Sequence, residues 1–401
     1  MISGAYGSGY RSLLGTLRQA ISIPIICLAC ATGCNTDLDA VLSPAFEAAV
    51  NVIGMEFDIP RGAKRAFWLT CKTQEQRLAW LLSDASAHEL DVQTSELSGN
   101  ASFVNYVRLH IITHKRSGAV LEVVEKSVRK ILAIPSLEAR FYRERDEIVQ
   151  ANKHFRHPRC YGLIETPMES LIYTHYIRSA PPHMHRVGKD VALGISELET
   201  LTHTHLKDSL VRASIRYWQM DFFRPWYLLR PRFSFARCFR HLRTLAIQEP
   251  QFSGMERNLR GFVAALRTEA KAARRSPRCI CHLDYLRKNL FASRKGLYLI
   301  DWSEVKVGRI GFDAGAYLSA LFRRNEMPLY EKARDEFLKA YTEALDPKFD
   351  KDMALRNARY LFLLNSLWNC MRAETIQEYR EAGRLPLLKQ KLEYLLSLKS
   401  Q

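Results

Sequence analysis

From about residue 96 the chain alternates apolar and polar positions with a period of two. Glu96 to Ser102 (ELSGNAS) reads as a small-residue turn, and Phe103 to Thr113 follows with strand alternation. His114-Lys-Arg-Ser-Gly118 supplies a hairpin turn, and Ala119 to Val128 forms the next strand. After Pro135, Ser136 is placed to cap a helix from Leu137 to about Val149, and Ser170 to Ile177 (SLIYTHYI) is a further strand. Beyond about residue 180 the period becomes helical. Asp190 to His205 sets Val191, Leu193, Ile195, Leu198 and Leu201 partly along one stripe, and helical runs follow at about 208–222, 236–248 and 254–273. Short strands surround residues 279–313, and the remainder to about 398 is helical. The pattern predicts an α+β chain of two lobes. Residues 96–180 form a small lobe built on an antiparallel sheet with one helix, and residues 181–401 form a mostly helical lobe.

Residues 1–95 carry no comparable signal and read as an N-terminal extension or small extra domain. Within them, Thr73-Gln-Glu-Gln76 has the spacing of a capping box that opens a helix through Leu78, Leu81 and Leu82. Ile21 to Cys34 is apolar, follows Arg11 and Arg18, and ends in Ala31-Thr-Gly-Cys34, which is similar to a lipoprotein cleavage site. It falls short of the roughly 20 apolar residues a bilayer span needs, and with Pro24 and its β-branched residues it reads equally as a buried strand. Cys27, Cys30 and Cys34 lack a nearby fourth ligand, so packing is favoured over a metal site. Nine scattered cysteines, an odd count, fit a reducing compartment, and a cytoplasmic location is expected, with export as the alternative. The formal net charge of +17 points to anionic partners without choosing among them.

The chemistry concentrates between residues 279 and 313. His282, Asp284 and Asn289 form H-x-D-x-x-x-x-N, and Asp301 follows at the end of the apolar run Leu297 to Ile300. This set offers a carboxylate base in Asp284, two oxygen ligands for a hard cation in Asn289 and Asp301, and His282 to brace the loop. Phosphoryl transfer from ATP calls for such parts, because catalysis there is mostly positioning and charge neutralisation.

The stretch resembles the aminoglycoside phosphotransferase and choline kinase family, small-molecule relatives of the protein kinases. The resemblance rests on His282-Leu-Asp284-Tyr-Leu-Arg-Lys-Asn289, Ile300-Asp301-Trp302 and Gly308-Arg-Ile-Gly-Phe-Asp313. The chain departs from it at Leu283, where the family commonly has glycine or another small residue. It implies a two-lobed protein-kinase-like fold, ATP and Mg²⁺ as cofactors, Asp284 and His282 in the catalytic loop, and Asn289 and Asp301 at the metal. Asp313 is read as a structural carboxylate bracing that loop. Upstream, Ser98, Gly99, Asn100 and Ser102 resemble the loop over the nucleotide phosphates, although a plain hairpin turn has the same composition. Lys126 resembles the strand lysine that pairs with the α- and β-phosphates, with Lys130 as a rival, and Glu138 matches the helix glutamate that holds it. The resemblance spans roughly residues 96 to 320.

The acceptor is harder to read. From Lys207 to Arg278 cations outnumber carboxylates about three to one, and Phe222, Phe223, Trp226, Tyr227, Phe233, Phe235 and Phe239 interleave with arginines. Such a segment suits an anionic or saccharide acceptor bound by Arg forks, or an anionic membrane surface, better than the cationic substrates of the family. It is equally the pattern of an amphipathic helical pair with aromatics turned inward. The leading expectation is transfer of the γ-phosphate of ATP to a hydroxyl of a small molecule. A protein kinase or a non-catalytic nucleotide-binding module are the alternatives, and no motif marks a nucleic-acid binder.

Overall fold

The period-two stretch folds as part of a six-stranded sheet with spatial order β1-β6-β7-β4-β3-β2. The structure, a computed structural model, describes residues 64–66, 73–82, 87–98, 104–130, 136–142, 151–166, 168–207, 235–293 and 296–398. β1 is Lys64–Ala66, β2 is Leu90–Ser98, β3 is Val104–His114 and β4 is Val120–Arg129. β5 (Phe155–Arg156) lies outside this sheet, and β6 (Cys160–Glu165) and β7 (Glu169–His175) complete it. All pairings are antiparallel except β1 with β6, which run parallel.

Two helical elements flank the sheet. Helix α1, Gln74–Leu82, opens on the expected capping box: Gln76 N donates to Thr73 Oγ1 at 3.3 Å and Thr73 N to Gln76 Oε1 at 3.1 Å. Its Leu78, Ala79 and Leu81 bury against Leu90, Ile112, Val123, Ile164, Leu171 and Tyr173. Burial of each such leucine contributes roughly 1.5–3 kcal/mol, so α1 belongs to the small lobe's core. Residues 136–142 begin α2 (helical at 137–142), with Ser136 Oγ accepting from Ala139 N at 3.0 Å as an N-cap. The expected boundary at residue 95 cuts through β2, so the sheet starts earlier in the chain than the pattern indicated. The reason is physical: β2 is an edge strand whose only buried residue is Leu90, and a polar edge leaves no alternation to read. The apolar stretch 21–34 with its three cysteines, the helical run at 208–222 and the end of the helix expected to reach Val149 lie outside the described residues.

The second lobe is helical, interrupted by short strands that carry the loop. α3 (Gly188–Lys207), α4 (Phe235–Gln248) and α5 (Met255–Ala273) lead into β8 (Arg278–Cys281). β9 (Leu290–Ser293) and β10 (Gly296–Leu299) form a hairpin that β5 joins in parallel, and β11 (Lys306–Arg309) pairs antiparallel with β8. α6 (Phe312–Arg324), α7 (Met327–Ala344), α8 (Lys351–Cys370), α9 (Ala373–Glu381) and α10 (Leu385–Ser397) close the lobe. α6 approaches α8 closely: a Cβ on Gly311, which has φ of 92°, would lie 2.2 Å from the Ala354 carbonyl oxygen, and one on Gly315 2.3 Å from that of Ala358. Buried Glu199 on α3 fixes the start of α6 by accepting from Gly311 N at 2.7 Å and Tyr341 OH at 2.6 Å. Burial pushes its carboxyl up to about 8, against the two hydrogen bonds that favour the ionised form. No helix among the described residues is long and apolar enough to cross a membrane.

Candidate active site

The loop leaving β8 is shaped by two features that no hydropathy pattern carries. Leu283 adopts φ of 66°, in the left-handed region where a side chain is strained. Asp313, buried at the start of α6, holds the turn by accepting from His282 N at 3.0 Å and Leu283 N at 2.9 Å. Burial pushes the Asp313 carboxyl up to about 6.

His282 is enclosed. Its Nδ1 accepts from Asp284 N at 3.2 Å, which assigns the proton to Nε2, donated to Ile300 O at 2.9 Å. Its ring meets Trp302 edge to face at 4.6 Å, and burial lowers its pKa to about 4. A neutral, doubly hydrogen-bonded ring of this kind positions the loop rather than exchanging protons.

Asp284 follows, with the Asn289 amide bound to it twice: Nδ2 donates to Oδ2 and to the backbone oxygen, each at 2.9 Å. Burial, with the charge of Asp301 behind it, pushes Asp284 up to about 6. Asn289 ends a 3-10 turn over Arg287–Asn289, and its backbone oxygen accepts from Ile300 N at 3.0 Å, which ties the loop to the strand bearing Asp301.

Asp301 also has a left-handed backbone, φ 65°, where β10 turns into the 3-10 segment Trp302–Glu304. Its Oδ1 accepts from Lys126 Nζ at 2.7 Å, and the same ammonium donates to Glu138 Oε2 at 2.6 Å. Burial disfavours the Lys126 charge, but Glu138 and Asp301 outweigh it and raise the pKa. Burial likewise works against ionised Asp301, yet Lys126 holds its carboxyl well below the usual range. Glu138 is raised by burial, with Lys126 opposing. Behind the triad, Phe141 of α2 stacks on Trp302 with centroids 3.9 Å apart, so the helix bearing Glu138 rests on the turn bearing Asp301.

Lys126 thus lies with Glu138 and Asp301, and Asp284, Asn289 and His282 adjoin them through the loop. Lys130 is engaged elsewhere, donating to Thr166 O at 2.6 Å and pairing with buried Glu165. Ser98 is the exposed last residue of β2, while Gly99, Asn100 and Ser102 lie outside the described residues, as do Phe222, Phe223, Trp226, Tyr227 and Phe233. On α4, Phe239 is buried under the Arg260 guanidinium at 4.6 Å while Arg237 and Arg240 face solvent, which is the amphipathic packing arrangement for that stretch. Sequence reasoning missed Lys288. Its Nζ lies 3.7 Å from Asp301 Oδ2, and its place directly before Asn289 was the available signal.

The family model described as the phosphotransferase enzyme family matches residues 213–354, a range that includes Asp284, Asn289, Asp301 and Asp313. Among solved structures, an amicoumacin kinase in complex with AMP-PNP and Ca²⁺ aligns with a TM-score of 0.51 at 10% identity, over 81% of this chain and 95% of that one. Choline kinase from Cryptosporidium parvum Iowa II aligns with a TM-score of 0.48 at 12% identity, over 79% and 93%. A choline/ethanolamine kinase family protein from Mesorhizobium loti gives 0.47 at 12% identity, over 82% and 96%. No curated protein matches in sequence. Residues 213–354 thus match the phosphotransferase enzyme family model, and the two lobes with their sheet order form a fold shared with the amicoumacin kinase.

Proposed function

We propose that the protein moves the γ-phosphate of Mg-ATP to a hydroxyl of a small molecule. The observation that carries this reading is the Lys126 ammonium, 2.6 Å from Glu138 and 2.7 Å from Asp301, which brings a cation of the small lobe onto a carboxylate 175 positions away. Such a cluster of opposed charges, beside a carboxylate whose proton affinity burial has raised, is a functional arrangement more than a stabilising one.

The residues fit a hard cation. Asp301 supplies a carboxylate, and Asn289, whose Nδ2 is committed to Asp284, keeps its carbonyl Oδ1 for a ligand. A set of one carboxylate and one amide oxygen suits Mg²⁺, which neutralises charge on the phosphate oxygens of ATP when bound. Lys126 would turn from Asp301 to the α- and β-phosphates with Glu138 keeping it in place. Asp284 would orient the acceptor hydroxyl and take its proton as the acceptor oxygen bonds to phosphorus and ADP departs. His282 and Asp313 hold that loop in shape.

A small acceptor is favoured over a protein because only the 3-10 turn Trp302–Glu304 and the first residues of β11 separate Asp301 from Gly308, leaving little room for a peptide-docking loop. An anionic or saccharide acceptor is the one that the arginine excess of residues 207–278 suits, although α4 itself packs as an amphipathic helix. A cytoplasmic location is the one that use of ATP would favour. A screen for ATP consumption over sugars, sugar phosphates, aminoglycosides and lipid headgroups tests the reading. Turnover on an acceptor that Asp284→Ala abolishes supports it, and full turnover by that variant overturns it.

A further inference from the structure

Asp301 meets a cation on each of its two oxygens. Lys126 holds Oδ1 at 2.7 Å, and Lys288 Nζ lies 3.7 Å from Oδ2. The two ammonium groups are held differently. The Lys126 side chain is 15% exposed and tied to Glu138 as well, whereas that of Lys288 is 68% exposed and meets Asp301 at long range. The backbone under Lys288 is nonetheless fixed. Asn289 N donates to Leu286 O at 2.9 Å, and the Arg287 guanidinium donates to the carbonyls of Pro181 and Pro182 at 3.2 Å each. An exposed ammonium is therefore mounted on a hydrogen-bonded turn, directly before Asn289 and four residues after Asp284.

Asp301 and Asn289 would hold a divalent cation, which would compete with Lys288 for the Asp301 carboxylate. The displaced ammonium then has one new anion within reach, the terminal phosphate that the nucleotide brings to the same place. We propose that Lys288 is a catalytic residue whose ammonium passes from Asp301 Oδ2 to the γ-phosphoryl oxygens and neutralises the charge spread over them during transfer. This rests on the phosphotransferase reading above. In the step itself the acceptor oxygen bonds to phosphorus and the bridging oxygen leaves with its electron pair on ADP. The hydroxyl proton goes to Asp284, and Lys288 keeps its proton throughout. The charge of Lys288 already bears on Asp284, whose proton affinity it lowers against the larger effect of burial.

The test compares two nucleotides on the full-length protein by isothermal titration with Mg²⁺: AMP-PNP, which has a γ-phosphoryl group, and ADP, which lacks one. Lys288→Met should weaken AMP-PNP about tenfold or more, the scale of one lost charge-assisted hydrogen bond, and change ADP less than about twofold. Lys288→Arg should restore most of the AMP-PNP affinity, and an unchanged melting temperature in both variants would show that the fold is intact. With an identified acceptor, kcat should fall in the Met variant more than KM rises. Equal loss for both nucleotides, or none for either, overturns the role of Lys288 while leaving the phosphotransferase reading standing. A wild-type protein that binds neither nucleotide removes both.

Discussion

The two faces of β4 carry neighbouring charged residues with opposite fates. Glu125 turns toward α1, where it accepts from Tyr106 OH at 2.6 Å and bonds to His110 Nε2 at 3.0 Å, with Arg77 at 3.9 Å. That network continues from His110 Nδ1 to Thr94 Oγ1 at 3.0 Å and on to Gln74, closing within the lobe. Lys126, the next residue, turns the other way and meets Glu138 and Asp301, which come from separate elements. On the Glu125 face each charge is answered within one lobe, and the carboxyl is held low despite its burial. On the Lys126 face the charges are answered across the two lobes, and Asp284 nearby is raised to about 6. Buried charge alone does not mark a site. Charge that binds two lobes together and leaves a carboxylate with raised proton affinity does.

This contrast can be broken by substitution on either face. The largest effect is expected from Asp284→Asn, which removes the base: kcat for an identified acceptor should drop by about 10²–10⁴-fold, with Mg-nucleotide affinity kept. Asp301→Ala should lower transfer by no more than that and also weaken Mg-nucleotide binding, read by isothermal titration. On the opposite face, Glu125→Gln should cost about 1–3 kcal/mol of stability, measured as a denaturant midpoint, because His110 and Arg77 lose a buried anion. Its nucleotide affinity should stay at the wild-type value; a loss there would erase the distinction between the faces.

The pH dependence sharpens the same contrast. Asp284 works as a base only when ionised, and burial sets its pKa at about 6, so kcat/KM should fall as pH drops through about 6. For stability the sign is the reverse. A carboxyl whose folded pKa lies above its unfolded value favours the folded state at low pH, and that contribution is lost as pH rises through about 6. The smallest effect concerns Leu283. Leu283→Gly relieves a left-handed backbone worth about 1 kcal/mol but gives up a partly buried side chain, so its melting temperature should barely move, whereas Leu283→Val should lower it.

Much of this was legible in the sequence, for reasons particular to each residue. Alternation along Val120 to Arg129 put Val124 and Lys126 on one face and Glu125 on the other, as β4 shows. Ser136 and Thr73 marked helix starts because capping is local chemistry. The family resemblance marked Asp313 as a carboxylate bracing the loop, and Asp313 accepts from His282 N and Leu283 N, whereas the Asp284–Asn289 hydrogen bond was not read from the sequence. β2 was hidden because an exposed edge strand has no apolar rhythm. The Glu125 network was hidden because its members meet only once three strands and α1 are assembled. Lys130 looked as eligible as Lys126, until Glu165 from β6 engaged it. Lys288 went unread because an exposed lysine on a turn carries no pattern of its own, only a position.

The most direct measurement is titration of ATP into the wild-type protein with and without Mg²⁺, repeated on Asp301→Ala. Saturable binding that requires Mg²⁺ and is lost in the variant is the expected result. Absence of ATP binding to the wild type, or binding indifferent to both Mg²⁺ and Asp301, would contradict the assignment of this site to phosphoryl transfer.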